Sequence, residues 1–231
     1  GIPINGLIWM GDLSFMKEQV RQKLDSGWRC IKIKIGALQF DEELAILKGI
    51  RSEYSPDDVI LRVDANGGFS PEDVLDRLGQ LAELDIHSIE QPIAKGQWEQ
   101  MAQLCRQSPL DIAFDEELIG ITDREEKERL LDTLAPRYLV LKPSLRGGMA
   151  GCDEWIKLAQ ARSIGWWVTS YLESNLGLNA IAQWTFLKQP CLHQGLGTGQ
   201  LFTNNMDSPL EIRGEQLFFD PGKRFIFPGI F

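Results

Sequence analysis

The sequence predicts an α/β protein whose parallel strands close into a TIM-like barrel. Strand and helix patterns alternate along most of its 231 residues, as they do where helices connect the strands of a parallel sheet. Charged residues also recur at the ends of five short apolar runs, at intervals of 25 to 30 residues. This interval fits one strand, one helix and two loops. An open doubly wound sheet is the structural alternative, but it would spread these charges along one edge.

Eight segments are predicted as strands from the alternation of strand and helix patterns, and five of them are the short apolar runs that carry the recurring charges. In chain order they are Gly6–Met10, Cys30–Ile35, Val59–Asp64, Ser88–Glu90, Ile112–Asp115, Tyr138–Lys142, Trp167–Ser170 and Leu192–Gly195. Helix patterns lie between them, for example over Phe15–Leu24, Phe40–Leu47 and Val74–Leu84. Ser70 before Pro71 predicts a helix start, and Thr122 with Asp123 predicts another.

The end of the chain departs from this repeat. No helix pattern follows the eighth predicted strand, and the residues from Asn204 onward contain Pro, Gly and charges before an apolar end at Phe225–Phe231. We therefore expect a catalytic barrel over residues 1–203, with no regular helix after its last strand, and a tail over residues 204–231. The tail is expected to pack on the barrel or on a partner domain.

Composition excludes several classes of protein. A hydrophobic content of 43% with 25% charged residues is ordinary for a globular protein, and the net charge of −9 argues against a nucleic-acid partner. No apolar run approaches the 18 or so residues of a membrane span. The four cysteines are dispersed without a C-x-x-C pair, which favours reduced thiols and a cytoplasmic protein.

Two lysines alternate with isoleucines in the second predicted strand. Successive strand residues point to opposite faces, so Lys32 and Lys34 share one face and the isoleucines share the other. If the isoleucines face the helices, the lysines face the barrel interior, where a charge is tolerable only beside water or carboxylates. An exposed edge strand is the alternative, but it leaves the acids at the next three strand ends unexplained.

Those acids are Asp64, Glu90 and Asp115. In a barrel they would meet at the same height, and three carboxylates repel one another unless a cation holds them. Oxygen ligands favour Mg²⁺, with Mn²⁺ as a possible substitute. The alternative for a single acid is a salt bridge, and Arg62 stands two residues before Asp64 to make one.

Lys34 and Lys142 would lie nearly opposite each other across an eight-stranded ring, with the three acids on the arc between them. Such a site suits removal of a proton next to a carboxylate, with the metal stabilising the resulting enediolate. The charge of Lys32 is expected to make Lys34 a better base.

The order K-x-K, Asp, Glu, Asp, Lys resembles the enolase superfamily. Within it, the pattern matches the branch of muconate-lactonizing enzymes, dipeptide epimerases, N-acylamino acid racemases and o-succinylbenzoate synthases. The stretches Asn5–Trp9, Ser170–Gly177 and Gly195–Phe202 resemble the last group. The Asp-x-Asp with which dipeptide epimerases usually hold an ammonium group does not follow the eighth predicted strand.

This resemblance implies a modified enolase-superfamily barrel and Mg²⁺-dependent dehydration of 2-succinyl-6-hydroxy-2,4-cyclohexadiene-1-carboxylate to o-succinylbenzoate, through an enediolate, in menaquinone biosynthesis. Lys34 would be the base and general acid, and Lys142 would stabilise the enediolate from the opposite face. An N-acylamino acid racemase is the enzymatic alternative, and a non-catalytic barrel module is the alternative outside enzymes.

Further side chains are expected to support this chemistry. Contacts with the carboxylate substrate are expected from Asn66, Ser170, Leu172, Glu173, Gly197 and Thr198. Arg62 and Glu116 are expected behind the site, where Glu116 would orient an amine. The glycines of Gly195–Gly199 could alternatively cradle a phosphate.

Members of the superfamily carry a capping domain before the barrel, and this chain starts almost at its first strand. We expect an isolated barrel or one separated from its cap, with the cap as the missing intramolecular partner and with weak turnover in its absence.

Overall fold

The computed structural model describes residues 1–225, and it contains ten strands in that range. They are β1 (Ile2–Pro3), β2 (Gly6–Ile8), β3 (Cys30–Lys34), β4 (Ile60–Asp64), β5 (Ser88–Glu90), β6 (Ile112–Phe114), β7 (Tyr138–Leu141), β8 (Gly165–Val168), β9 (Leu210–Arg213) and β10 (Gln216–Phe219). Strands β2 to β8 form one parallel sheet in chain order. This curled sheet, with a helix between most successive strands, confirms the predicted α/β barrel class.

Seven α-helices accompany the strands in the described part of the chain. They are α1 (Leu13–Asp25), α2 (Phe40–Glu53), α3 (Val74–Ala82), α4 (Trp98–Gln107), α5 (Arg124–Leu134), α6 (Gly148–Gln160) and α7 (Asn175–Leu187). Asp123 caps α5 by accepting a hydrogen bond from the Glu126 backbone, as its sequence signal predicts. The signal at Ser70 is displaced, because residues 71–73 form a turn and α3 begins only at Val74.

The eighth predicted strand is reduced to two isolated parallel bridges, from Gln194 to Ile4 and from Gly195 to Thr169. The side chain of Gln194 explains part of this difference. Its Oε1 accepts a hydrogen bond from the Val168 backbone at 2.7 Å, so a side chain takes a place that strand pairing would otherwise fill. The prediction of eight regular strands is therefore corrected to seven, with Gln194 and Gly195 bridging between β8 and the segment before β2.

The residues after the bridges form a small antiparallel sheet. β9 and β10 are a hairpin, and β10 pairs with β1 through the register Ile2 to Leu217. The hairpin thus joins the two ends of the described chain, because β1 immediately precedes the barrel. The predicted docking of the apolar end from Phe225 stays a prediction, since residues 226–231 lie outside the described range.

The core lies between the sheet and the helices. Ile31, Ile33 and Ile35 are all at most 2% exposed and belong to this core, which confirms the predicted outward face of β3. The lysines between them therefore face the barrel interior. Within the described residues, no helix is both long enough and apolar enough to cross a membrane.

Candidate active site

The charged residues converge at the carboxyl ends of the parallel strands. Lys34, Asp64 and Glu90 are the last residues of β3, β4 and β5, and strand pairing places them in one row. Asp115 and Lys142 directly follow β6 and β7. Strand pairing aligns Glu90 with Ala113, two residues before Asp115, so the charged residues form an arc with a step at β6. The arc has three carboxylates in the middle and one lysine at each end.

Lys32 lies one layer below this row and is 8% exposed. Its ammonium donates to Asp64 Oδ2 at 3.1 Å and to Glu90 Oε2 at 2.9 Å. The expected role of Lys32 thus gains a second part. Besides being a neighbour of Lys34, it bridges two of the carboxylates and offsets the repulsion between them.

The titration properties of the carboxyl groups show how closely these charges interact. Burial opposes ionisation of Asp64, but Lys32 and Lys34 outweigh it and lower the pKa of Asp64 to about 2. Burial and the negative charges of Asp64 and Asp115 raise the pKa of Glu90 to about 8, although Lys32 opposes this rise. Burial also opposes the charge on Lys32, yet the two acids that it contacts raise its pKa. Burial and neighbouring acids therefore outweigh Lys32 at Glu90, whereas the lysines outweigh burial at Asp64.

A chain of hydrogen bonds holds Lys34. Its ammonium donates to Asp64 Oδ2 at 3.0 Å and to Asn66 Oδ1 at 2.7 Å. The Asn66 amide in turn donates to Glu116 Oε1 at 2.9 Å. Glu116 therefore contacts the amide that contacts the Lys34 amine, while its expected role of orienting that amine stays a prediction. The Trp9 ring lies 5.3 Å from Lys34 Nζ and supplies an aromatic wall that the sequence reasoning did not assign to the site.

Lys142 and Arg146 each form an ion pair with one carboxylate oxygen of Asp115. The Lys142 ammonium donates to Asp115 Oδ2, while Arg146 Nη2 donates to Asp115 Oδ1 at 2.7 Å and to its backbone oxygen at 2.6 Å. Arg146 is 1% exposed, so this is a buried ion pair. Sequence reasoning missed Arg146. Arg146 stands four residues after Lys142, and the 3₁₀ helix between them, which brings Arg146 to Asp115, has no clear signal in the sequence.

The loops after β8 and after the isolated bridges form the other wall. Ser170 and Thr198 are both buried, and their hydroxyl oxygens lie 2.5 Å apart. They line a cleft of about 950 Å³ that reaches the lysines. Further lining residues of this cleft include Leu172, Gly197, Lys32, Lys34, Asp64 and Lys142. The structure thus brings most of the expected substrate contacts together with the acid–base groups.

Glu173 is held by two hydrogen bonds, and its expected contact with the substrate stays a prediction. One carboxylate oxygen accepts a hydrogen bond from the Ser144 hydroxyl, and the other accepts one from the Tyr171 backbone at 2.9 Å. Glu173 therefore connects the loop after β8 with the 3₁₀ helix that follows Lys142. This arrangement supports the neighbouring residue Leu172, whose φ of 60° is unusual for a side chain of that kind.

Arg62 lies below the row of charged strand ends. Its guanidinium donates to the His193 carbonyl oxygen at 2.8 Å and lies 4.1 Å from the Trp167 ring centre. Arg62 pairs across the strands with Lys32 rather than with Lys34, so it belongs to a lower layer of the barrel. The suggested salt bridge from Arg62 to an acid of the upper row is not among the contacts of the described residues.

The fit of a metal ion depends on the carboxylates and their present partners. Among residues 1–225, no three His, Cys, Asp or Glu side chains form a group that could hold an ion as they stand, and lysines bond to oxygens of all three expected ligands. However, Glu90 Oε1 is buried without a hydrogen-bond partner among the described residues. An orphaned carboxylate oxygen beside two further carboxylates fits a hard cation.

Acids and amines at the carboxyl ends of parallel strands are typical of barrel enzymes, whose active sites lie at that end of the barrel. Residues 15–219 match the model of the enolase C-terminal domain-like family. The chain belongs to this family.

Individual proteins refine the comparison. The chain is 56% identical over 213 residues to an o-succinylbenzoate synthase of Desulfotalea psychrophila, a match that covers 92% of this chain and 58% of that protein. An L-Ala-D/L-amino acid epimerase of a Maribacter species is 28% identical, in a match that covers 78% of this chain and 49% of that protein. The crystal structure of MenC from Desulfotalea psychrophila superposes with a TM-score of 0.87 at 55% identity, covering 94% of this chain and 60% of that chain. The chain thus spans about half to three fifths of the length of these relatives.

Proposed function

We propose that this chain is the barrel of an enzyme that dehydrates 2-succinyl-6-hydroxy-2,4-cyclohexadiene-1-carboxylate to o-succinylbenzoate, a step of menaquinone biosynthesis in the cytoplasm. The observation that carries the proposal is the arc of three carboxylates with a lysine on each terminal acid. Lys34 contacts Asp64 and Lys142 contacts Asp115. The similarity to the Desulfotalea psychrophila synthase supports this particular substrate.

In the proposed reaction Lys34 removes the proton from the carbon next to the substrate carboxylate. Asn66 holds the Lys34 amine toward the cleft through the 2.7 Å hydrogen bond. The same amine then returns its proton to the departing hydroxyl group, so proton transfer balances within one side chain. Lys142, at the other end of the arc, offers a positive charge to the opposite face of the substrate.

Asp64, Glu90 and Asp115 are the proposed ligands of Mg²⁺, for which Mn²⁺ could substitute. When bound, the ion would supply positive charge where negative charge develops on the substrate carboxylate. The lysine contacts on Asp64, Glu90 and Asp115 have to rearrange when these oxygens turn to an ion. The positive charges of Lys32 and Arg146 then keep the surrounding carboxylates from repelling one another.

The succinyl carboxylate of the substrate is proposed to contact the wall of the cleft that Ser170 and Thr198 form. Ser170 and Thr198 offer two hydroxyl groups there, and Gly197 leaves its backbone accessible in the same cleft. Leu172 would pack against the ring of the substrate. Glu173 acts through Leu172 and Ser144 in this proposal, since its own oxygens already have partners.

A capping domain is proposed to close the mouth, as the resemblance to the enolase superfamily leads us to expect. Three large apolar side chains line the cleft and remain exposed: Tyr171 at 59%, Leu172 at 38% and Leu201 at 45%. These residues form an apolar rim. A covering domain would bury this rim and exclude water from the reacting groups.

The test follows o-succinylbenzoate formation by ultraviolet absorbance, with and without Mg²⁺. The segment of the Desulfotalea psychrophila synthase outside the aligned region is added as a separate polypeptide in a parallel series. We expect Mg²⁺-dependent product formation that rises with this segment and disappears in Lys34→Ala, while Lys48→Ala on the exposed face of α2 retains it. Exchange of the α-proton of an N-succinyl amino acid without dehydration would instead favour the racemase.

A further inference from the structure

Two buried side chains behind the carboxylates form a reciprocal pair that the proposed chemistry does not use. Gln91 directly follows Glu90 and is fully buried, and Glu117 lies two residues after Asp115 and is 5% exposed. The Gln91 amide donates to Glu117 Oε2 at 3.2 Å, and the Glu117 backbone donates to Gln91 Oε1 at 3.1 Å. The pair therefore connects the loop after β5 directly to the 3₁₀ helix after β6.

The remaining polar atoms of this pair are also engaged. Gln91 Nε2 donates to the Ile93 carbonyl oxygen at 3.1 Å, and Glu117 Oε1 accepts a hydrogen bond from the Gly96 backbone at 3.0 Å. Both ends of the pair are thus anchored to the loop that follows Glu90. Such a network resists displacement, because breaking one bond leaves a buried polar group without a partner.

Gln91 also reaches the loop that follows Asp64. The Gly67 backbone donates to the Gln91 carbonyl oxygen at 2.7 Å, and a Cβ added to Gly67 would meet Ala94 Cα at 2.9 Å. Gln91 itself has a φ of 42°, a left-handed conformation that is uncommon outside glycine. The backbone is therefore held in a demanding conformation at the point where the three loops meet.

We propose that Gln91 and Glu117 are positioning residues that set the separation of Glu90 and Asp115, and thereby the affinity of this chain for a divalent cation. The inference rests on the proposed function, because it assumes that these carboxylates bind the ion. Neither side chain lines the cleft, so both act through their neighbours. Loss of such outer partners typically lowers metal affinity about 10- to 100-fold.

The test exchanges the two functional groups. In Gln91→Glu two buried carboxylates face each other, and in Glu117→Gln one carboxylate oxygen becomes an amide nitrogen that cannot accept a hydrogen bond. In the double variant the amide at position 117 can again donate to a carboxylate at position 91, while its oxygen accepts from Gly96. The bond to Ile93 is not restored, because a carboxylate oxygen at position 91 faces the Ile93 carbonyl oxygen and repels it. We expect both single variants to bind Mn²⁺ at least tenfold more weakly than the wild type, and the double variant to recover part of that loss.

Glu43→Gln is the matched control. Glu43 is 2% exposed and accepts hydrogen bonds from the backbone of Gly36, Ala37 and Leu38, so it is a comparable buried clamp on the loop after Lys34. Mn²⁺ alone is titrated calorimetrically at a temperature where circular dichroism shows each variant folded. We expect Glu43→Gln to lower the melting temperature but to leave Mn²⁺ affinity within about twofold.

Several results would overturn the inference. Wild-type affinity in the folded single variants would do so, as would a loss in Glu43→Gln as large as that in Gln91→Glu, or a double variant no better than the singles. If Gln91→Glu does not fold, the comparison of Glu117→Gln with Glu43→Gln decides alone. A wild-type chain that binds neither Mn²⁺ nor Mg²⁺ would overturn the proposed metal site as well, which separates that failure from failure of the positioning pair.

Discussion

Replacement of Lys32 by Met should make the fold depend on a divalent cation. Lys32 lies within 3.1 Å of Asp64 and 2.9 Å of Glu90, and its side chain is only 10% exposed. Removing one partner of a buried ion pair costs about 3–5 kcal/mol, because the remaining charge is buried without compensation. In a domain of this size that loss corresponds to a fall in melting temperature of roughly 6–20 °C.

The size of this loss should depend on pH with a definite sign. The pKa of Glu90 is already raised to about 8, so below that pH the Glu90 carboxyl can take up a proton and relieve part of the repulsion. We therefore expect the smaller loss at pH 7 and the larger loss at pH 9. Mg²⁺ should restore much of the stability at both values, since the ion replaces the missing positive charge between the acids.

The assay is thermal unfolding followed by circular dichroism, with and without Mg²⁺. Lys127→Met is the matched control, because Lys127 is 2% exposed and pairs with Glu154 far from the carboxylate arc. It should lose stability that Mg²⁺ does not restore. A Lys32→Met protein that loses less than about 1 kcal/mol, or that gains no more from Mg²⁺ than Lys127→Met does, would refute this reasoning.

Three further predictions concern the support of the site and the barrel. Arg146→Met should lower Mn²⁺ affinity about 10- to 100-fold in calorimetry by releasing Asp115, whereas unchanged affinity would show that Lys142 suffices. Gln194→Leu should lower the free energy of unfolding in urea by about 1–3 kcal/mol, because the buried Val168 backbone N–H loses its acceptor. A loss below about 0.5 kcal/mol, which is typical of a surface substitution, would contradict this prediction. Burial and the nearby Arg62 and His193 lower the pKa of His87 to about 4 in the folded chain. Between about pH 6.5 and pH 4 the unfolded chain therefore binds a proton at His87 that the folded chain does not, and stability should fall as the pH drops through this range. His87→Phe should flatten that fall in melting temperature, and an unchanged pH profile would count against it.

The part of the site that lies on one strand was predictable because strand geometry is local. Side chains alternate between the two faces of a strand, so the isoleucines of β3 had to be buried together and Lys32 and Lys34 had to share the interior. The similar intervals between Asp64, Glu90 and Asp115 likewise follow from a repeated strand and helix. These features require no knowledge of which distant residues come into contact.

Contacts between loops could not be read in the same way. Arg62 stands two residues before Asp64, and alternation places both on the same face, but only strand pairing shows that Arg62 belongs with Lys32 in the lower layer. The sequence does not indicate that Arg146 would turn back to Asp115, since that depends on the path of the 3₁₀ helix after Lys142. The same limit applies to the hydrogen bond between Glu173 and Ser144, which joins two loops far apart in the chain.

The eighth strand shows a limit of a different kind. The place of Leu192–Gly195 in the alternation of strands and helices correctly indicated a segment beside β8, yet the structure has only two bridges there. A glutamine side chain that imitates a backbone partner does not change the hydrophobic pattern. Pattern alone therefore located this segment but overstated how regular its pairing would be.

The sequence by itself determined the α/β class, the order of the charged strand ends and the inward face of Lys32 and Lys34, because each follows from the periodicity of a single element. Tertiary structure decided which charges pair, which loops support them and how the parallel sheet meets its last segment. Those outcomes depend on distances between residues far apart in the chain. At this site the balance between burial and neighbouring charge gives Asp64 a pKa of about 2 and Glu90 a pKa of about 8.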